Sequence, residues 1–208
     1  MPFLTYLVAA AIAYLIGTFS WSYLAVRVLR GEDLRQHGSG NLGATNAGRV
    51  LGRRWAFLIY LADMLKGLLP TLAAKIWWQA DSEETLPLAL VVGLGVILGH
   101  LFPFWLSFRG GKGIAAGSGV VLAISLMTGL AALGIWGICI LCCRWVSLSS
   151  VLATMSLSIV YTLISRGDPG RPWFIAYFVL LAVVVLVSHR ANLVRVFRGK
   201  EKKIGDKA

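Results

Sequence analysis

The sequence predicts an all-α, polytopic membrane helix bundle, and three observations carry that prediction. Hydrophobic residues make up 58% of the 208 positions and charged residues 14%, against about a quarter charged in a soluble domain. Several windows of roughly 18 or more residues are nearly uncharged, long enough to cross a hydrocarbon core as a helix. The apolar runs are continuous, whereas a membrane β-barrel needs alternating segments of about ten residues. Such runs and their connections occupy the chain, so a single integral membrane domain over residues 1–208 is expected.

The placement of charge orders the elements. The formal net charge is +11, and sixteen of the 20 Lys and Arg lie in Arg27 to Arg54, the Arg109/Lys112 loop, Arg144 and the tail from Arg190. Such clustering is topogenic and gives no reason to expect nucleic acid; the positive-inside rule makes these segments cytoplasmic. A first span over about residues 3–26 has no basic residues ahead of it and reads as a retained helix rather than a cleaved signal. The N-terminus is then outside. A second span, 55–78, runs out to Trp77 and Trp78, followed by an outer loop, 79–85, with Asp81, Glu83 and Glu84. A third, 86–106, returns to an inner loop, 107–113. The basic tail fixes the other end inside. The last span, 172–189, therefore starts outside, and 147–165 runs outward, with loop 166–171 outside despite Arg166 and Arg171.

Parity constrains the middle. Residues 114–143 must return to the inner face before Ser147. Two short spans of roughly 14–15 residues, turning near Met127-Thr128-Gly129, satisfy this if the bilayer thins locally. The expected fold is seven transmembrane helices, two of them short, with the N-terminus outside and the C-terminus cytoplasmic. Five full spans plus a re-entrant hairpin is the close variant. The run Lys200 to Lys203 reads as a solvated anchor for anionic lipid heads. Cys139, Cys142 and Cys143 read as reduced packing residues, with no nearby histidine to complete a metal set.

Four polar clusters interrupt this apolar chain. The first is Gly38-Ser39-Gly40-Asn41-Leu42-Gly43-Ala44-Thr45-Asn46-Ala47-Gly48-Arg49. Glycines let main-chain N–H groups approach an anion, Ser39, Asn41, Thr45 and Asn46 add short hydrogen-bonding side chains, and Arg49 supplies a forked cation. Its G-x-G-x-x-G spacing is not a dinucleotide fingerprint, because no βαβ unit surrounds it. The second is Gly99-His100, then Pro103, then Arg109-Gly110-Gly111-Lys112-Gly113. It lacks the upstream glycine and the hydroxyl residue of a P-loop. Its glycines and the mobile charge of Lys112 still suit a phosphate. The third is Ser147-Leu148-Ser149-Ser150, and the fourth is Ser188-His189-Arg190-Ala191-Asn192-Leu193-Val194-Arg195. The topology puts all four on the cytoplasmic side, where Arg49, Lys112 and Arg195 would make a cationic surface for two anions. Asp63 and Lys66, at i, i+3 inside the second span, read as a mutual ion pair with a scaffold role.

These motifs resemble the bacterial acyl-phosphate:glycerol-3-phosphate acyltransferases. The likeness rests on Gly38-Ser39-Gly40-Asn41-x-Gly43-Ala44-Thr45-Asn46 with Arg49, on Gly99-His100-x-x-Pro103-Phe104 through Phe108-x-Gly110-Gly111-Lys112-Gly113, on Ser147-Leu148-Ser149-Ser150, and on His189-Arg190-x-Asn192-x-x-Arg195. It implies an enzyme of the bacterial cytoplasmic (inner) membrane with a seven-helix fold and a cytoplasmic-side site. The implied reaction converts an acyl phosphate and glycerol 3-phosphate to 1-acylglycerol 3-phosphate (lysophosphatidate) and phosphate. No cofactor, metal or thioester donor is implied.

An acyl phosphate is already activated, so positioning and electrostatic stabilisation suffice. The sequence shows no persuasive Ser/His/Asp set. Ser39, Arg49, His100, Lys112, Ser149 and Asn192 are the expected catalytic residues. Gly40, Asn41, Gly43, Thr45, Asn46, Gly110, Gly111, Gly113, Ser150, His189 and Arg195 are the expected substrate-binding residues. Expected partners are the two substrates and membrane lipid, with contact to enzymes that make acyl phosphate and consume lysophosphatidate. An organic-phosphate transporter would want a midplane site open to both sides, and the outer loops carry no matching anion site. A thioester-using acyltransferase would want an acid spaced behind His100, which the sequence lacks.

Overall fold

A computed structural model describes residues 3–79, 87–166 and 171–205. Among them all regular structure is helical. The helices are α1 (Phe3–Thr18), α2 (Trp21–Arg30), α3 (Ala44–Leu51), α4 (Arg53–Gln79), α5 (Leu88–Leu101) and α6 (Ile114–Ile124), followed by α7 (Leu126–Cys143), α8 (Val146–Met155), α9 (Leu157–Ile164), α10 (Arg171–Ser188) and α11 (Arg190–Phe197). Among the described residues six stretches are long and apolar enough to cross a membrane: Phe3–Arg30, Arg53–Trp77, Leu88–Leu106, Leu126–Cys143, Val146–Ile164 and Arg171–Ser188. The apolar α6, with 11 residues, is shorter. Of the expected outer loops, residues 80–85 and 167–170 fall outside the described residues, and Gln79 ends α4.

The expected pair of short spans resolves differently. The chain breaks at Ser125 rather than at Met127-Thr128-Gly129, leaving α6 short and α7 a full 18 residues. Ser125 is an N-cap: its Oγ accepts from the Thr128 amide and lies 2.9 Å from Thr128 Oγ1. Apolar composition alone could not locate this cap. At the other end of α7, Arg144 takes a left-handed conformation, φ 60°, and its N–H closes onto the Ile140 carbonyl.

The chain forms two compact units, α1–α6 and α7–α11. In the first, α1 packs on α5 and α4 packs on α6 and α5. Small residues permit this close approach. A methyl on Gly99 would fall on the Tyr14 carbonyl, and one on Gly119 on the Met64 carbonyl. One core cluster joins Ala13, Ala74, Leu88, Val92, Val96 and Ala116. A second joins Val26, Leu34, Leu42, Ala47, Ile59 and Leu106, and so seats the Gly38–Arg49 strip.

The first span, expected to be continuous, is interrupted between Thr18 and Trp21, where Ser20 caps α2. Main-chain carbonyls freed at such a break need partners in an apolar setting. Trp105 Nε1 donates to the Thr18 carbonyl at 3.0 Å and Lys66 Nζ to the Phe19 carbonyl at 2.6 Å. The C-terminus of α6 is treated alike: Lys75 Nζ donates to the Ala123 and Ile124 carbonyls at 3.2 and 2.7 Å. A cation at a helix C-terminus also complements the macrodipole.

In the second unit α8 packs against α7, α10 and α11, and α10 also packs against α9. Tyr161 and Phe178 meet edge to face, with centroids 5.2 Å apart, and Val151, Leu157, Leu181 and Val185 of the same unit are buried. The tail, read from sequence as a solvated anchor, is instead partly docked. The Ile204 amide donates to the Arg144 carbonyl at 2.8 Å, and the Glu201 side chain is only 8% exposed.

Candidate active site

In the first unit the two long motifs meet. Asn41 Nδ2 donates to the Gly110 carbonyl at 3.2 Å and the Leu42 amide reaches the same oxygen at 3.4 Å. From the other side, Ser22 Oγ donates to the Leu42 carbonyl at 2.6 Å. Residues 69 positions apart are thereby stitched into one surface.

Asn46 organises this strip from within. Its Nδ2 donates to the His37 and Asn41 carbonyls at 2.9 and 3.1 Å, and its Oδ1 accepts from the Ser39 amide at 3.1 Å. It is 2% exposed. Its side chain thus shapes the loop, which sequence alone could not separate from ligand contact. Gly38 and Gly40 take positive φ, 57° and 68°, at the tight bend this requires. Ser39 and Thr45 are exposed, and the Arg49 stem passes 3.7 Å from where a Gly38 Cβ would stand. Among the described residues no hydrogen bond or ion pair occupies the Arg49 guanidinium. Arg35, by contrast, is spent on Asp33, 2.6 Å away. That hydrogen bond, with the Arg35 and Arg27 charges, outweighs desolvation and holds the Asp33 carboxyl below the ordinary aspartate range.

The glycine amides behave differently from the expected open cradle. The Gly110 and Gly111 amides donate back to the Leu101 and His100 carbonyls at 2.9 and 3.0 Å, and the Gly40 amide to the His37 carbonyl at 2.9 Å. These bonds satisfy the end of α5 and the turn at His37. The amides left without such acceptors are those that open α3, at Ala44 and Thr45, and α6, preceded by Gly43 and by Gly113 (φ 81°). Lys112 stands beside the α6 turn and is half-buried.

His100 is 5% exposed and lies directly beneath the loop; a methyl on Gly111 would fall on its Nε2. Its Nδ1 is 3.7 Å from Asp63 Oδ1, which Lys66 Nζ approaches to 2.8 Å. The Asp63–Lys66 pair expected from sequence is present. The nearness of Asp63 to His100, across 37 positions, was invisible to local spacing.

The second unit holds the other two clusters. Ser149 Oγ donates to the Trp145 carbonyl at 3.0 Å and lies 3.8 Å from Cys143 Sγ. Ser150 Oγ donates to the Val146 carbonyl at 2.8 Å and accepts from Trp136 Nε1 at 3.2 Å. His189 Nδ1 lies 2.9 Å from the Val185 carbonyl and 3.3 Å from Ser188 Oγ. A residue that sequence reasoning missed ties these clusters together. Glu201 Oε1 accepts from Ser147 Oγ at 2.8 Å and Asn192 Nδ2 at 2.5 Å, and Oε2 from Arg195 Nε at 2.7 Å. Burial would raise the Glu201 carboxyl, but hydrogen bonds from Asn192, Ser147 and Arg195, with the Arg195 charge, hold it below the ordinary glutamate range. Arg195, expected to face an anionic substrate, therefore already carries a carboxylate. The available signal was one glutamate inside the basic run 200–203. Cys139, Cys142 and Cys143 are free thiols, Cys142 exposed. Among the described residues no three His, Cys, Asp or Glu side chains cluster as a metal site would need.

Comparison with known proteins identifies the family. Residues 7–199 match the family model described as glycerol-3-phosphate acyltransferase. A glycerol-3-phosphate acyltransferase of Prochlorococcus marinus (strain NATL1A) is 41% identical over 192 residues, 92% of this chain and 94% of the relative. One from Desulforamulus reducens is 38% identical over 195 residues, 94% and 93% of the two chains. The crystal structure of PlsY, an integral membrane glycerol 3-phosphate acyltransferase, in its glycerol 3-phosphate form superimposes with a TM-score of 0.86 at 34% identity, covering 97% of this chain and 96% of that one. Its lysophosphatidic acid form gives 0.83 at 32% identity, with the same coverage. Matched along nearly its whole length by sequence and by fold, the chain is a multi-pass membrane acyltransferase and belongs to the glycerol-3-phosphate acyltransferase family.

Proposed function

We propose that the protein transfers a fatty acyl group from an acyl phosphate to glycerol 3-phosphate, the first committed step of phospholipid synthesis in a bacterial cytoplasmic membrane. The chain works as one integral membrane enzyme, with α6 counted as a seventh crossing, the N-terminus outside and the C-terminus cytoplasmic. The observation that carries the reading is the stitching of the Arg49 strip to the Lys112 loop at the Gly110 carbonyl. It brings two cation-bearing motifs and two helix N-termini into one surface, which suits doubly charged phosphates.

In this reading a glycerol 3-phosphate hydroxyl oxygen attacks the acyl carbonyl carbon. The bond from that carbon to the phosphate oxygen breaks. The departing phosphate takes up the hydroxyl proton, so no protein base is required. Two phosphates repel each other, and the work of the site is to hold them together and in line. Ser39, Gly43 and Thr45 face the acyl phosphate, on a loop that Gly40, Asn41 and Asn46 shape. Arg49 and Lys112 neutralise phosphate charge, and Gly110, Gly111 and Gly113 form the turn that presents Lys112. His100 orients glycerol phosphate; that Ser149, Ser150, His189, Asn192 and Arg195 contribute to its binding rests on the sequence motifs alone, and Asn192 and Arg195 would first have to leave Glu201. The acyl chain lies among lipid-facing helices, and the flanking enzymes make acyl phosphate and consume lysophosphatidate.

The test is purified protein with labelled glycerol 3-phosphate and palmitoyl phosphate, beside palmitoyl-CoA. Product from the acyl phosphate, lost in Lys112→Ala and Arg49→Ala variants that remain folded, is expected. Product from the thioester alone, or full activity in either variant, overturns the reading.

A further inference from the structure

We infer that Asp63, held by Lys66, is a positioning residue that sets the orientation of the His100 ring beneath the Gly110–Gly113 loop. The inference rests on the acyl-transfer reading for its kinetic consequence, though not for the contact itself.

Five observations carry it. Asp63 is 1% exposed, and its Oδ2 has no hydrogen-bond partner among the described residues. Its Oδ1 is shared by Lys66 Nζ at 2.8 Å and His100 Nδ1 at 3.7 Å. The opposite edge of the imidazole, at Nε2, presses on Gly111 so closely that no Cβ fits there. The α4 backbone around the pair is clamped: a methyl on Gly67 would strike the Ala116 carbonyl, and one on Gly119 the Met64 carbonyl. Lys66 is tied in turn to the Phe19 carbonyl at 2.6 Å. The imidazole therefore bridges a fixed carboxylate inside the bundle and the loop that presents Lys112.

Stability alone gives such a pair little reason to exist. A buried ion pair is often no better than an apolar pair of similar volume, and a carboxylate oxygen without a partner is costly. An orienting carboxylate has a specific effect on histidine: it selects the tautomer with the proton on Nδ1 and fixes the ring plane. The Nε2 lone pair then faces the loop. At 3.7 Å the Nδ1 contact is longer than a hydrogen bond; contacts of this kind shorten when substrate closes a site. Asp63 touches no substrate and acts only through His100.

The experiment labels the histidines with ¹⁵N. The chain has three, and a His100→Gln variant identifies the resonances of His100. The wild-type protein should show His100 protonated at Nδ1; protonation at Nε2 overturns the inference without any variant. Asp63→Leu combined with Lys66→Met removes the carboxylate while leaving no unpaired charge. It should change the His100 nitrogen spectrum and raise KM for glycerol 3-phosphate about ten- to hundredfold, the usual cost of losing an orienting partner. KM for palmitoyl phosphate should stay within about twofold of wild type. A purely structural pair would lower the active fraction and leave both KM values and the His100 spectrum unchanged, and that result overturns the inference. A wild-type protein inactive with acyl phosphate would sink the proposed reaction, while the nitrogen spectrum would still decide the contact.

Discussion

Replacing Glu201 by alanine should destabilise the protein far more than removal of a tail glutamate ordinarily would. The carboxylate accepts from Ser147 Oγ at 2.8 Å, Asn192 Nδ2 at 2.5 Å and Arg195 Nε at 2.7 Å. Ser147 and Asn192 are 5% and 9% exposed, and each buried donor left without this acceptor costs about 1–3 kcal/mol. The Arg195 side chain is 41% exposed and regains water, so its share is under about 1 kcal/mol. The expected loss is about 2–6 kcal/mol, and at about 2–4 °C per kcal/mol for a chain of this size the unfolding midpoint falls by roughly 5–20 °C. Tryptophan fluorescence during heating in detergent reads this directly, since the chain has eight tryptophans. The pH dependence gives a second check with a definite sign. The folded carboxyl is depressed, so its stabilisation is present above the ordinary glutamate value of about 4.3 and is lost as pH falls through the lower folded value. The gap between wild type and Glu201→Gln should therefore be widest near neutrality and close below about pH 4. A Glu201→Ala midpoint within about 1 °C of wild type at pH 7 would refute the hydrogen-bond account.

Three further outcomes follow from the same contacts. Asn46→Ala removes three hydrogen bonds from a residue 2% exposed. It should cost about 2–4 kcal/mol and make the His37–Asn41 amides exchange faster with deuterium; unchanged protection would count against Asn46 as the organiser of the strip. Gly111→Ala places a methyl on the His100 ring; kcat/KM for glycerol 3-phosphate should fall about tenfold or more with little change in unfolding midpoint, and near-wild-type activity would show that the loop tolerates displacement. Lys75→Met strips the donor from the Ala123 and Ile124 carbonyls; thermal unfolding should register a loss of about 1–3 kcal/mol, and an unchanged midpoint would mean those carbonyls find another partner.

The four polar clusters were legible because polar residues in a membrane-grade chain stand out, and most sequence-expected site residues lie in the two units as ordered turns and helix ends. The roles were less legible. Asn46 and Arg49 look alike on the page as polar members of one strip, yet one is spent on main-chain carbonyls of its own loop and the other is not. Glu201 was hidden in a basic run whose average composition reads as a solvated anchor. Breaks in the spans were also hidden. Thr18 to Trp21 and Ser125 sit in largely uncharged stretches, where a serine cap competes with helix continuation only if partners donate to the freed carbonyls.

By itself the sequence determined the all-α membrane class, the glycine-rich motifs and their cations, and the Asp63–Lys66 pair. Each is encoded locally, in the length of an apolar run, the residue types within a few positions, or an i, i+3 spacing. Only the tertiary structure decided that Asn41 reaches Gly110, that Asp63 faces His100, that Lys75 closes α6 and that Glu201 gathers Ser147, Asn192 and Arg195. Those contacts link positions 6 to 69 residues apart. The bonds from Asn41, Lys75 and the Glu201 partners answer main-chain or carboxylate groups that an apolar interior would otherwise leave unpaired. Such a demand arises only once the helices are packed, so no local pattern records it.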